Sequence, residues 1–378
     1  MRGTGRFTAV AAVALAAILM AACGGEDRPG VDVIEDGTPS GSGSSSVSAS
    51  GGGPTSGTGD LYVPVSNVDS YLSMAADLRD IRVIMAPATA GNAVDWAAAS
   101  AIYENGKNQE RPDGLRSLAS IPNEAVHAVF PDGAAVYGEA DFINAIVRDG
   151  LSGSGRGAGL SDNARRQLVD KGIQMLLYAK ALQEIESART RVAAGNTDDA
   201  SGAPHAVDEA WGAIAGVAEA DGSRPHGLLS TASSREANFG LDGKLRLPLE
   251  EALVGAQAAA RAGDLDAFNA AAAEVRGHLN ATFYLASLRY ATSLLGDETA
   301  ADREVHLAEG WTFFQTIRAQ VASGGPTAAE TVVAAYSREP ASPYPASERD
   351  AVYAALNEIA VLAALAIPDD LIVHNPPQ

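Results

Sequence analysis

The chain holds a single cysteine, Cys23, so no disulfide can form within it and stability must come from packing. Aromatic residues make up only 6%, and nowhere does a sustained run alternate β-branched and polar residues, which leaves little material for strands. Lys and Arg number 27 against 47 Asp and Glu, for a formal charge of −20. Such a surface repels phosphate backbones, so nucleic acid is set aside as a partner. Also missing are a Gly-rich phosphate loop after a strand, a nucleophile elbow and a His-Glu-x-x-His helix, which disfavours nucleotide enzymes and ordinary hydrolases. What the chain does have is alanine, the largest part of its 46% hydrophobic residues and the best helix former. The composition predicts an all-α helical bundle with closely packed helices.

Arg2 and Arg6 precede an apolar run over 7–20, broken only by Thr8, and Met20-Ala21-Ala22-Cys23 follows. A charged start, a short apolar stretch and small residues read as a signal peptide over 1–22. The end of that segment resembles a bacterial lipobox, with Met20 where leucine is commoner, so cleavage would expose Cys23 for lipidation. A simple secretory signal with an incidental cysteine is the alternative. Loss of Arg2 and Arg6, with no acidic residue before Cys23, takes the charge to −22. Residues 23–60, rich in Gly, Ser, Thr and Pro, read as a flexible tether from the lipidated cysteine. The expected product is exported and membrane-anchored, facing the periplasm or the cell exterior.

Helical periodicity dominates 61–368, read as the helical domain, with a tail over 369–378. Tyr71, Leu72, Ala75, Leu78, Ile81 and Met85 recur at three and four, predicting a helix over 68–84 that ends before Pro87. Further helices are predicted over 95–103, 142–147, 162–194, 204–219, 249–262, 264–295, 299–322 and 347–366. Ser161 and Thr299 stand as caps, and Arg165, Arg166, Lys171 and Lys180 fall on the expected wet side of 162–194. Residues 221–243 read as irregular.

Two segments carry the candidate chemistry: His306-Leu-Ala-Glu309-Gly-Trp311-Thr-Phe313-Phe314 and its echo His205-Ala-Val-Asp208-Glu209-Ala-Trp211. Each sets an imidazole and a carboxylate three or four residues apart on one helix face. The surrounding order repeats as well: Ala90-Gly91-Asn92 before an Ala-rich stretch matches Ala262-Gly263-Asp264, and Tyr178-Ala179 matches Tyr290-Ala291. This suggests an internal duplication with halves over 66–220 and 245–322. A pseudo-twofold axis would then bring the faces of Glu209 and Glu309 together. His205, Asp208, Glu209, Asp302, His306 and Glu309 would form one mixed nitrogen and oxygen set suited to iron, with manganese or zinc as alternatives. The same spacings also arise from acidic first turns that answer the helix dipole and from structural histidine pairs. Glu124 and His127, at i and i+3 in a Pro-interrupted region, rank lower. Trp211, Trp311 and Phe313 read as core anchors or, with Arg235, as the lining of a ligand groove.

At these residues the chain resembles a family. Pro204-His205-Ala-Val-Asp208-Glu209-Ala-Trp211, Ser234-Arg235-Glu-Ala-Asn238-Phe239-Gly240, Ala258-Ala-Ala-Arg261-Ala-Gly263-Asp264, Glu304-Val-His306-Leu-Ala-Glu309-Gly-Trp311 and Tyr103-Glu-Asn-Gly-Lys107-Asn108 resemble the algal low-iron-inducible periplasmic iron-assimilation proteins. These are also described as high-CO2-inducible, and they have bacterial relatives. The resemblance spans most of 66–365. It implies an extracytoplasmic helical protein that helps supply iron, with an importer or other envelope component as partner, and it implies no catalytic mechanism or ligand set. A weaker likeness to imelysin-type lipoproteins rests on compartment and helicity. Their Gly-x-His-x-x-Glu pattern is half present, as His306-x-x-Glu309.

Three readings follow: a lipid-anchored iron-binding protein, a ferritin-like metal-dependent oxidase, and a metal-free helical scaffold or receptor whose tryptophans and Arg235 line a groove. The lipobox makes its own prediction. Palmitate label should enter the wild-type chain and hold it in the membrane pellet, while Cys23→Ala should be unlabelled and released by a salt wash.

Overall fold

The computed structural model describes residues 60–122, 129–130 and 132–376. Cys23, the signal segment, nearly all of the tether, Glu124 and His127 lie outside the described residues. The chain runs through α1 (Asp69–Met85), α2 (Trp96–Asn105), a hairpin of β1 (Glu110–Arg111) and β2 (Gly114–Leu115), α3 (Gly133–Tyr137) and α4 (Phe142–Ser152). It continues through α5 (Asp162–Ala193), α6 (Ala203–Ala215), α7 (Leu228–Phe239), α8 (Arg246–Ala262) and α9 (Leu265–Ser293). The last helices are α10 (Ala300–Gly324), α11 (Pro326–Tyr336), α12 (Ala346–Leu356) and α13 (Ile359–Leu365). The fold is all-α, as the composition requires; the described strands are two residues long each and pair Glu110 with Leu115 and Arg111 with Gly114.

Capping chemistry explains where the helices begin. The side chains of Asp95, Ser161, Asp264 and Thr299 each accept the backbone N–H three residues on, satisfying an otherwise orphaned donor. Two expectations need correction. Residues 221–243, read as irregular because of their serines and glycines, contain α7. Its weak propensity is overridden by burial of Leu228, Leu229 and Ala232, while Ser233 and Ser234 turn their hydroxyls back onto the carbonyls of Leu229 and Ser230. The closing helix is also not continuous: it breaks at Asn357 and Glu358 into α12 and α13.

Helix α5 is the axis of the body. It packs against α1, α4, α6, α9 and α10, and from Gly172 to Leu182 every residue is buried. A helix enclosed on all sides cannot be amphipathic, which is why its periodicity is faint. Lys180, expected on a wet side, is 2% exposed, and Lys171 is largely covered. Most of the core forms one continuous apolar cluster that serves both expected halves.

Small residues set the spacing. Gly310 sits inside the His306 segment, and a methyl group there would clash with ring carbons of the fully buried Tyr336. Gly310→Ala should therefore destabilise the protein by about 1–3 kcal/mol from overpacking, although the change favours helix in isolation by about 1 kcal/mol. A denaturant melt showing stabilisation would refute the close contact.

Candidate metal centres

The two signature helices reach α5 at different heights. On α6, His205 Nε2 lies 3.3 Å from Glu209 Oε1. Glu209 shares this corner with Glu184 of α5, whose Oε1 meets the Lys180 ammonium at 2.7 Å and accepts the Tyr71 hydroxyl at 3.0 Å. Arg116 and Lys180 lie 5.1 and 5.4 Å from the centre of the Tyr71 ring. Burial, and then the charge of Glu184, make Glu209 hold its proton more tightly than an ordinary carboxyl, against the opposing pull of His205.

On α10, Glu309 Oε1 pairs with the Lys171 ammonium at 3.0 Å. His306 does not turn to Asp302; its Nδ1 lies 2.8 and 2.9 Å from the two oxygens of Asp297, and its ring is 5.8 Å from Tyr290. Tyr290 stacks on Phe313, and Arg235 lies 5.7 Å from the Tyr290 ring and 6.0 Å from that of Phe313. Burial, followed by the neighbouring Glu309, pushes the Tyr290 phenol well above its ordinary range. Arg235 is buried, and its Nε and Nη1 have no hydrogen-bond partner in the protein.

Behind Lys171 the charges continue. Asp170 receives Arg82 at 2.6 Å and Lys171 at 3.3 Å. Burial works against its ionisation, yet these cations hold the carboxyl well below the usual range. Arg82 also contacts His226 Nδ1 at 3.1 Å. Burial and then Arg82 push that imidazole down to about 4, so it is neutral at physiological pH.

The expectation that the faces of Glu209 and Glu309 meet is not what the structure shows. Their α5 neighbours, Glu184 and Lys171, are thirteen positions apart, or roughly 20 Å along the helix. Two of the six proposed ligands are also occupied elsewhere. Asp208 is fully buried and accepts from Tyr62, Val65, Ser66 and Gln257, so its lone pairs are taken. Asp302 makes a capping pair with Thr299 at the start of α10 and lines an open cavity of about 600 Å³ with Asp162 and Asn163. Among the described residues, no three His, Cys, Asp or Glu side chains converge as a ready-made metal site. What remains is two separate clusters, each with a histidine, a glutamate, and a tyrosine near an arginine.

The aromatic residues do not line one groove. Tyr62 stacks on Trp211 at 5.4 Å, and Arg224 sits 4.8 Å from the centre of the same indole ring. Arg156 lies 4.8 Å from the Trp311 ring, and Phe313 is in the core. Sequence reasoning missed Tyr71, Glu184 and Lys180 in the first cluster and Lys171, Tyr290 and Asp297 in the second. The i, i+4 spacing of Lys180 and Glu184 was a readable signal, but nothing local said that it faced inward.

A family model described as low iron-inducible periplasmic protein matches residues 41–273. The chain belongs to this family. The matched region contains the whole His205 cluster, together with Lys171 and Arg235, and stops before α10. No curated protein and no solved structure matches the chain. Membership in the family supports an exported, periplasmic protein under iron control. Among the described residues, no helix is long and apolar enough to cross a membrane.

The raised proton affinity of Glu209 has a definite sign in stability. Below the unfolded-state value both states are protonated. As pH rises past it, the unfolded chain ionises first, so the folded state holds more protons and stability falls. Glu209→Gln removes that cost. Its melting temperature should match wild type in acid and exceed it increasingly as pH rises, in a series of thermal melts without metal.

Proposed function

We propose that the protein binds iron outside the cytoplasm, held to the membrane by a lipid on Cys23, and keeps it for import. The observation that carries this reading is the His205 and Glu209 pair at 3.3 Å, half-buried beside Glu184 and the Tyr71 phenol inside the family-matched region. Imidazole, carboxylate and phenol are donors that suit iron, and burial makes an ionised Glu209 costly until a cation arrives. His306 adds a second sign: a metal-binding histidine commonly gives its other ring N–H to a carboxylate, and Asp297 stands there for Nδ1.

Each cluster offers few protein ligands, so water or anions arriving with the iron complete its shell. Lys180, Arg116 and Lys171 balance the added negative charge, and Arg235 offers such an anion two unused donors. Manganese and zinc would also accept these donors. The separation of the clusters favours binding over a dinuclear oxidase, because paired catalytic metals sit about 3.5–4 Å apart. The burial of Trp211 under Tyr62 and Arg224 weighs against the scaffold reading.

Elemental analysis after native purification should find iron at two independent sites. The His205→Ala, Glu209→Ala variant should lose one, the His306→Ala, Glu309→Ala variant the other, and the quadruple variant both, with thermal melts confirming that each folds. Uptake should strengthen with rising pH, as the Glu209 proton must leave. Equal iron in wild type and quadruple variant would sink the proposal.

A further inference from the structure

The segment between the expected tether and α1 is seated firmly on the first cluster. Asp60 pairs with Arg224 at 2.7 Å, the Leu61 N–H donates to Glu250, and Tyr62 lies on Trp211. Gln257 of α8 donates to the Val63 carbonyl and to Asp208, while the N–H groups of Val65 and Ser66 both donate to Asp208. At the end of this strap, Ser66 Oγ lies 2.6 Å from Asp208 Oδ2 and 2.7 Å from His205 Nδ1.

These contacts decide where protons sit. Two backbone N–H groups and the Gln257 amide can only donate to Asp208, which suits an ionised carboxylate that accepts on both oxygens. The Ser66 hydroxyl has one proton and gives it to Asp208. Its oxygen can then only accept from His205, so Nδ1 must carry the ring proton. In a neutral imidazole this leaves Nε2 as a bare lone pair, directed at Glu209 Oε1 3.3 Å away. Two lone pairs facing each other at this distance call for a proton held by Glu209 between them, or for a cation that displaces it.

We propose that the strap is part of the His205 site, with Ser66 as its positioning residue: relaying the Asp208 carboxylate, Ser66 fixes the Nδ1–H tautomer and presents Nε2 as the metal-binding atom. The site is therefore competent only while 60–66 are seated on α6 and α8, which places its control at the root of the expected tether. The metal part of this inference rests on the iron-binding reading; the tautomer does not.

The test uses the full chain in detergent, labelled with 15N at histidine, freed of metal, and held at a pH above the imidazole range. Long-range proton–nitrogen spectra, with His205→Ala identifying the resonances, should show His205 protonated at Nδ1, the form that free imidazole disfavours. Ser66→Ala should shift it toward Nε2–H and weaken Fe binding at this site by about 10–100-fold, while Ser66→Thr restores both. Binding at the His306 cluster should stay unchanged. A wild-type His205 protonated at Nε2 overturns the proposal whatever the variants do, as does a Ser66→Ala chain with tautomer and affinity intact. A wild type that takes up no iron would instead overturn the iron reading, leaving the spectrum to decide the role of Ser66.

Discussion

Lys171 and Lys180 stand, largely covered, on the helix at the axis of the protein, and an ammonium removed from water must find an anion or lose its charge. The arrangement of the clusters follows from that demand. Lys180 is met by Glu184 one turn along the same helix, and Lys171 by Asp170 and by Glu309 from α10. Arg82 of α1 closes the other side of Asp170. Around α5, apolar packing brings helices together and charge pairing sets which residues face each other.

The two pairings leave the clusters unequal. Glu309 pairs with Lys171, which also meets Asp170, whereas Glu209 lies beside His205 and near the charge of Glu184, with a raised affinity for protons. The first cluster thus sets two carboxyls close together, one of them favouring its proton, inside the part of the chain that the family shares. In the second, His306 is held by Asp297, and Arg235 keeps two nitrogens without a hydrogen-bond partner. Two similar motifs stand in different electrostatic settings because their neighbours differ.

Asp208 shows how an acidic residue beside a histidine can serve a site without binding metal. In sequence it is as plausible a ligand as Glu209, one position away. A single helical step turns it about 100° to the other side of α6, where it gathers the strap. The strap itself was invisible in the sequence. Leu61-Tyr-Val-Pro-Val-Ser66 has neither helical period nor strand alternation, and residues far along the chain, among them Trp211, Asp208, Glu250 and Gln257, give it a place.

Composition and periodicity were enough to determine an all-α body, the four helix starts at Asp95, Ser161, Asp264 and Thr299, and the two histidine helices, because these depend on propensity and contacts within a few residues. Tertiary structure alone decided that Lys180 is buried, that α7 forms despite its serines, and that Glu209 and Glu309 lie apart along α5. It also decided that Asp297, nine residues before His306, is the partner of that imidazole in place of Asp302. Which side of a helix is wet depends on what packs against it, and a helix enclosed all round has no polar face to betray its orientation.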